Sequence, residues 1–383
     1  MTKNKERIFY YDFLRAIAII GIVSCHVASN FLVNPAIMNT IGWNFAVVID
    51  CFRDFSIPIF VMLTGALLLN KDYSLSNFVK KRFNRVFVPY LFWLCIFIIF
   101  SYLFISRNMT IHTIYNITLG HAGTIGVVLW FVWMILVVYI AIFIINKIIF
   151  AVKNKYSHSN SKFIKNFDSY FIKLLVLIFI IYLVLIKITG FNPVPNRIIY
   201  YISFIGYSCL GYYLSNLHIT STKLKEGLKI TPTKLMICSL IIAICSYIYY
   251  IIQVINLSNI SGHFASFSYF TFIILILSSS VFLSFRYFEE SNKPSIKNIY
   301  SKIRYGMLGK LINSLSKSSY GIYLVHFILM KYLYVLILFR INYNNLNPII
   351  ALPILLIVVL VLSWIVIIIL SKIPYLNRIS GST

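Results

Sequence analysis

Acidic side chains are almost missing from this sequence: nine Asp and Glu stand among 383 residues, against 34 Lys and Arg. That scarcity leaves little material for a proton relay or a metal–carboxylate centre. Charge of any sign is sparse, at 11% of residues against 60% hydrophobic ones, and the mean hydropathy is +0.87, far outside the range of a soluble globular domain. The chain has no G-x-S-x-G elbow, no H-E-x-x-H motif, no P-loop and no Rossmann glycine pattern, which removes the signatures of serine hydrolases, zinc proteases and nucleotide-binding enzymes. Its six cysteines, at 25, 51, 95, 209, 238 and 245, form no C-x-x-C pair. Reduced thiols packed among helices or lipids are expected, with no disulfide framework and no metal site. No internal repeat, heptad array or appended soluble domain stands out, so residues 1–383 read as a single membrane domain.

What is present is a succession of apolar runs, each about 20 residues and long enough to cross a bilayer. They fall near residues 8–28, 46–69, 86–105, 127–150, 170–188, 197–217, 235–256, 264–285, 317–339 and 348–371. The first carries a charge at Arg15 and shows no small-residue cleavage site, so it reads as an uncleaved signal-anchor helix. The net charge of +25 suggests nucleic acid at first sight, but the basic residues sit in alternate short loops, as topogenic charge does. One set comprises Lys3, Lys5 and Arg7; then Lys71, Lys80, Lys81, Arg82 and Arg85; then Lys153, Lys155, Lys162 and Lys165. The next are Lys223, Lys225, Lys229 and Lys234, then Arg286, Lys293, Lys297, Lys302, Arg304 and Lys310, and finally Lys372 and Arg378. The stretch between Val27 and Trp43 has neither Lys nor Arg, nor does "NLSNISGH". The expected fold is therefore an all-α polytopic membrane bundle of about ten transmembrane helices with both termini cytoplasmic. The Ile, Lys, Asn and Tyr bias points to an AT-rich genome and hence to a bacterial plasma membrane.

The first span, "DFLRAIAIIGIVSCHV" at 12–27, holds three residues that a lipid-facing helix excludes. Arg15 and His26 are eleven residues apart, about 20° in azimuth and about 16 Å along the axis. Asp12 lies one turn before Arg15, within ion-pair reach. A charge at mid-bilayer costs roughly 2.5–3.5 kcal/mol, so such a stripe belongs on a protein interior or a wet cavity. The competing reading places Asp12 and Arg15 at one interface and His26 at the other, each snorkelling.

These residues and four later stretches resemble, in order, the acyltransferase family 3 membrane proteins. "DFLRAIAIIGIVSCHV" is similar to the family's R-x10-H signature, and "FSIPIFVMLTGALLL" (55–69) to its second span, with Thr64 where serine is commoner. "KKRFNRVFVPY" resembles the basic stretch before the third span, "LWFVWMI" (129–135) the start of the fourth, and "SSYGIYLVH" (318–326) the late Y-G-I-Y-L-x-H helix. The resemblance implies an integral-membrane O-acyltransferase that moves an acyl group, usually acetyl, from cytoplasmic acyl-CoA to a hydroxyl of a cell-surface or lipid-linked glycan. It implies no cofactor beyond the acyl-CoA substrate and no metal. Its partners would be acyl-CoA, the glycan, membrane lipids and, in one arrangement, a separate extracytoplasmic transfer protein, with no nucleic acid. A polysaccharide exporter is the rival reading, against which stand the missing repeat symmetry and the few Gly/Pro-broken helices.

The resemblance assigns His26 and Asp12 to the catalytic set. His26 acts either as the base that takes the hydroxyl proton or as a transient acyl carrier. Arg82 and Arg85, with Arg15 deeper in the path, would hold the acyl-CoA phosphates through their planar forks; ordinary positive-inside charge is the alternative for the first two. Tyr320, Tyr323 and His326, stepping by three, would line the site together with Trp130, although a histidine bonded to a neighbouring helix is an equal reading for His326. Asp50, Arg53, Asp54 and His121 would form an acceptor rim, unless the three charges merely pair with one another and the tryptophans form an interfacial belt.

Overall fold

The computed structural model describes residues 7–158, 161–217, 231–338 and 346–382. It is 82% helix, with no strand among the described residues. α1 (Phe9–Leu32) is followed by α2 (Ile41–Asp50) and α3 (Phe52–Leu68). α4 (Leu75–Arg82) runs through a π turn (Phe83–Phe87) into α5 (Val88–Phe104), and α6 (Ile111–Leu119) leads by a 3-10 turn (Ile125–Leu129) into α7 (Trp130–Lys155). Then come α8 (Lys162–Lys165), α9 (Phe167–Thr189), α10 (Arg197–Ser203), α11 (Ile205–Ser215), α12 (Pro232–Ser261) and α13 (Phe272–Glu290). α14 (Pro294–Tyr305), α15 (Met307–Leu338) and α16 (Pro348–Lys372) complete the described helices.

Among the described residues, seven helical stretches are long and apolar enough to cross a membrane: α1, α4–α5, α7 with its preceding turn, α9, α12, α13 and α16. The other three expected runs are helical but built differently. Run 46–69 divides at Cys51, and α3 has 17 residues; run 197–217 divides at Phe204 into helices of 7 and 11 residues. The ninth run, up to residue 338, lies within the 32-residue α15, and residue 339 is outside the described residues. The expected span 264–285 begins late, because residues 263–271 are irregular and α13 starts at Phe272. Side chains of neighbouring helices satisfy that segment's backbone: Ser258 Oγ accepts the Ala265 N–H at 3.0 Å, and Tyr207 donates to the Tyr269 carbonyl at 2.6 Å. An aromatic-rich tract so held looks like a span by hydropathy while remaining a loop.

Lys3, Lys5, Lys223, Lys225 and Lys229 lie outside the described residues. Much of the described basic charge gathers where α1 and α15 begin and α3 ends, here called the basic end; the opposite end carries the 263–271 loop. At the basic end Lys147 pairs with Asp72 at 3.0 Å and Lys153 with Asp168 at 2.6 Å.

α3 sits against both α1 and α11, and glycine sets the approach. A Cβ on Gly65 would collide with the backbone of Ser208, and one on Gly211 with the backbone of Met62. The two glycines thus make a reciprocal close contact, the means by which membrane helices gain packing without a hydrophobic driving force. α12 and α13 use serines for the same purpose, with Ser284 Oγ donating to Ser239 Oγ at 3.1 Å. The remaining faces of α9, α12 and α16 expose Ile178, Ile241, Ile357 and similar side chains, as a lipid-facing surface requires.

Candidate active site

α1 and α15 run parallel, since Asp12 meets Ser316 while His26 meets His326. Between them, α3, the π turn and α7 open a cavity of about 290 Å³ at the basic end. Its cationic lining consists of Arg15, Lys71, Arg82, Arg85 and Lys317, and no acidic residue lines it among the described residues. Deeper in, the wall becomes Thr64, Phe131, Tyr320 and Tyr323. Two tyrosines fix this geometry: Tyr320 donates to the Val86 carbonyl at 2.7 Å, pinning the π turn that carries Arg85, and Tyr323 donates to the Val128 carbonyl ahead of α7. Such π turns recur at functional sites because they re-aim side chains out of helical register. Arg82 lies over the rings of Phe78 and Tyr139, 5.8 and 5.5 Å from their centroids, and its buried Nε has no hydrogen-bond partner among the described residues.

Asp12 is buried behind two residues of this lining, Arg15 and Ser316. It accepts from Arg15 at 3.2 Å, from Ser316 at 2.6 Å and from both forks of Arg7. It therefore orients Arg15. Its distance from His26 along α1 is fourteen residues, about 21 Å, so the structure does not bring these two residues together.

His26 is half-buried and its ring centroid lies 5.3 Å from that of His326, which is fully buried. His326 in turn lies 6.1 Å from Tyr323, the deepest of the cavity tyrosines along α15. The tautomer of His326 follows from its neighbours. Nδ1 stands 3.1 Å from the Ile322 carbonyl and 2.7 Å from the Tyr323 carbonyl. Carbonyls only accept, so Nδ1 carries the proton and Nε2 of the neutral ring keeps its lone pair. That Nε2 is buried and has no hydrogen-bond partner among the described residues. The arrangement sets an unengaged nitrogen base beside His26.

A second chamber, of about 570 Å³, opens toward the other end. Arg53, Asp54, Trp130, Asn192, Tyr200 and Tyr269 are among its walls. Consecutive residues of α7 separate the two spaces: Phe131 lines the basic cavity and Trp130 the second chamber, their rings 6.3 Å apart and edge to face. The expected rim is partly assembled. Arg53 reaches Asp50 at 3.4 Å and Asp54 at 3.2 Å, and Tyr250 donates to the other oxygen of Asp54 at 2.8 Å. Asp50 is buried behind this pair and does not line the chamber, and His121 lines neither space, its near ring contact being Tyr115 at 5.9 Å.

Sequence reasoning passed over Lys317, Thr64, Tyr139, Tyr200 and the 266–271 loop. For Lys317 a signal existed, because it precedes Tyr320, Tyr323 and His326 at the same step of three. The loop and Tyr200 gave none, since aromatic residues inside apolar runs read as helix core.

Comparisons with curated proteins and with solved structures returned no match. The family model described as an acyltransferase domain, acyltransferase 3, matches residues 8–368, nearly the whole chain, and both cavities and the histidine pair fall inside it; this all-helical chain, with its membrane-length apolar helices, belongs to that family.

Proposed function

We propose that this protein is an integral-membrane O-acyltransferase that takes acyl-CoA at its basic end and delivers the acyl group, acetyl in the simplest case, to a glycan hydroxyl presented at the far chamber. The observation that carries the reading is the pair of unlike cavities meeting across Trp130 and Phe131, with His326 beside Tyr323 and His26 against it. Five cations without an acid suit the phosphorylated head of CoA, because guanidinium forks make bidentate, charge-assisted bonds to phosphate. The narrow inner part, walled by tyrosines and Phe131, suits a thin pantetheine arm ending in the thioester.

Transfer then needs a proton acceptor. As the hydroxyl oxygen attacks the thioester carbonyl, an imidazole takes its proton; the C–S bond breaks, and the leaving sulfur takes the proton back as free CoA departs. His26 is assigned that role, with Nε2 of His326 beside it able to accept its N–H and fix which nitrogen of His26 holds the lone pair. In the carrier variant, the His26 nitrogen that holds the lone pair attacks the thioester carbonyl, the C–S bond breaks and CoA leaves as its thiol with the imidazole N–H proton; the glycan hydroxyl then displaces the acyl group, and its proton returns to the imidazole. Asp12 serves from a distance by holding Arg15 in place. A packed aromatic pair between the cavities favours transfer over bulk conduction of polymer.

The test is transfer of label from acetyl-CoA, radiolabelled in the acetyl group, to an oligosaccharide by the purified protein in liposomes. No transfer from acetyl-CoA or from longer acyl-CoA donors contradicts the proposal. In the same assay Arg82→Ala and Arg85→Ala are each expected to raise KM for acyl-CoA roughly tenfold to a hundredfold, the scale of one charge-assisted bond at about 1.5–3 kcal/mol. kcat should change little, since binding lost equally in ground and transition states appears in KM alone. An unchanged KM in the double variant would return these arginines to topogenic charge.

A further inference from the structure

We infer that the far chamber selects by charge: it accepts an uncharged sugar ring and rejects acidic sugars, with Trp130 as the stacking platform and the Arg53–Asp50–Asp54 cluster as the source of the selection. This inference rests on the acyl-transfer reading and adds to it the class of acceptor.

The volume of about 570 Å³ falls within the usual range for a small-ligand site, about 300–1,000 Å³. Its walls are rich in rings. Trp130 keeps part of its surface open and is steadied by Tyr200 at 5.6 Å and by Tyr269 at 6.3 Å with the planes 29° apart. An indole held in this way offers a rigid face to the C–H side of a sugar at small cost in side-chain entropy.

Charge decides which sugar. Arg53 is the only cation among the described residues that line the chamber. Its guanidinium is already shared between Asp50 and Asp54, at 3.4 and 3.2 Å. Counted in their ordinary ionised forms, one positive and two negative groups give this cluster a formal charge of −1. A carboxylate, sulfate or phosphate on the acceptor would meet an occupied cation and a surplus negative charge, and like charges so placed disfavour binding.

A hydroxyl meets no such repulsion. Asp54 is itself 1% exposed and held by Arg53 and Tyr250, so hydroxyl recognition falls to exposed polar groups of the wall such as the Asn192 amide. The basic cavity, with five cations and no acid, has the reverse preference, so the anionic donor and the uncharged acceptor are each sorted to one side.

The experiment is direct binding, without any acyl donor, to the full-length protein in detergent. Intrinsic tryptophan fluorescence is titrated with matched oligosaccharides of equal length and linkage, one of neutral hexoses and one of the corresponding uronic acids. The neutral form is expected to quench, the quench to disappear in Trp130→Phe, and the uronate to bind at least about tenfold more weakly. Asp50→Asn, which removes a negative charge from behind the chamber wall, is expected to narrow that ratio. Equal or tighter binding of the uronate, or no binding of either form, overturns the inference. Neutral-selective binding without transfer from any acyl-CoA upholds the selectivity and counts against the acyltransferase chemistry, so the two failures are distinct.

Discussion

His26→Ala is expected to lose acyl transfer by about 10²- to 10⁴-fold, the span attributed to a positioned general base, while the affinity for acyl-CoA stays within a few fold. The separation of effects follows from position. The cations that would hold the CoA head lie at the mouth of the basic cavity, whereas His26 sits eleven residues beyond Arg15, about 16 Å along the helix. Removing the imidazole leaves the mouth untouched. The side chain is half-buried and packs edge to face on Phe327 with centroids 5.2 Å apart, so the alanine variant leaves a void, and His26→Gln, closer in volume, serves as the check on folding. Both variants should bind acyl-CoA and fail to turn it over. Rates that survive in both variants would remove His26 as base and as carrier. Labelled protein recovered after a donor-only incubation, and absent in His26→Gln, would select the carrier variant over the base.

Arg53→Leu is expected to have the largest effect on stability, about 3–5 kcal/mol, the cost of stripping one partner from a buried ionic cluster. Asp50 and Asp54 are 2% and 1% exposed and would face each other without a cation. Tyr250 can still donate to Asp54, but among the described residues only Arg53 pairs with Asp50. The measurement is the melting midpoint in detergent, followed by size exclusion. Arg53→Lys is expected to recover only part of the loss, because one ammonium cannot present the planar fork that reaches both carboxylates. Combining Arg53→Leu with Asp50→Asn and Asp54→Asn should recover more, since the penalty resides in uncompensated charge rather than in packing. A single variant as stable as the parent would mean that the cluster is open to water.

The polar stripe of α1 was legible from sequence because an ionisable residue in an apolar run is costly wherever it points at lipid; Arg15 lines the basic cavity and His26 packs on His326. Arg82 and Arg85 were legible only through the motif around Pro89, as Lys and Arg in a loop look the same whether they bind phosphate or set topology. For that reason Lys71 reads from sequence as topogenic charge alone. The pairing of Asp12 with Ser316 spans 304 positions of sequence, and no local pattern announces it. The far chamber was hidden most fully. Its walls come from α3, α7, the segment after α9, α10 and the loop before α13, and that loop has the hydropathy of a span. Trp130 and His121 both flank the fourth expected span, yet only Trp130 reaches a cavity, since helix start and loop are indistinguishable at the resolution of a hydropathy window.

The most direct measurement is photolabelling with an acyl-CoA whose acyl chain carries a diazirine, irradiated on the reconstituted protein and mapped by mass spectrometry. The expected adducts fall on α1 around Cys25–Val27, on α15 around Tyr323–Phe327 and on Phe131, and free CoA in excess suppresses them. Adducts confined to the lipid-facing surfaces of α9, α12 or α16, or insensitive to CoA, would contradict a donor path that ends at the paired histidines.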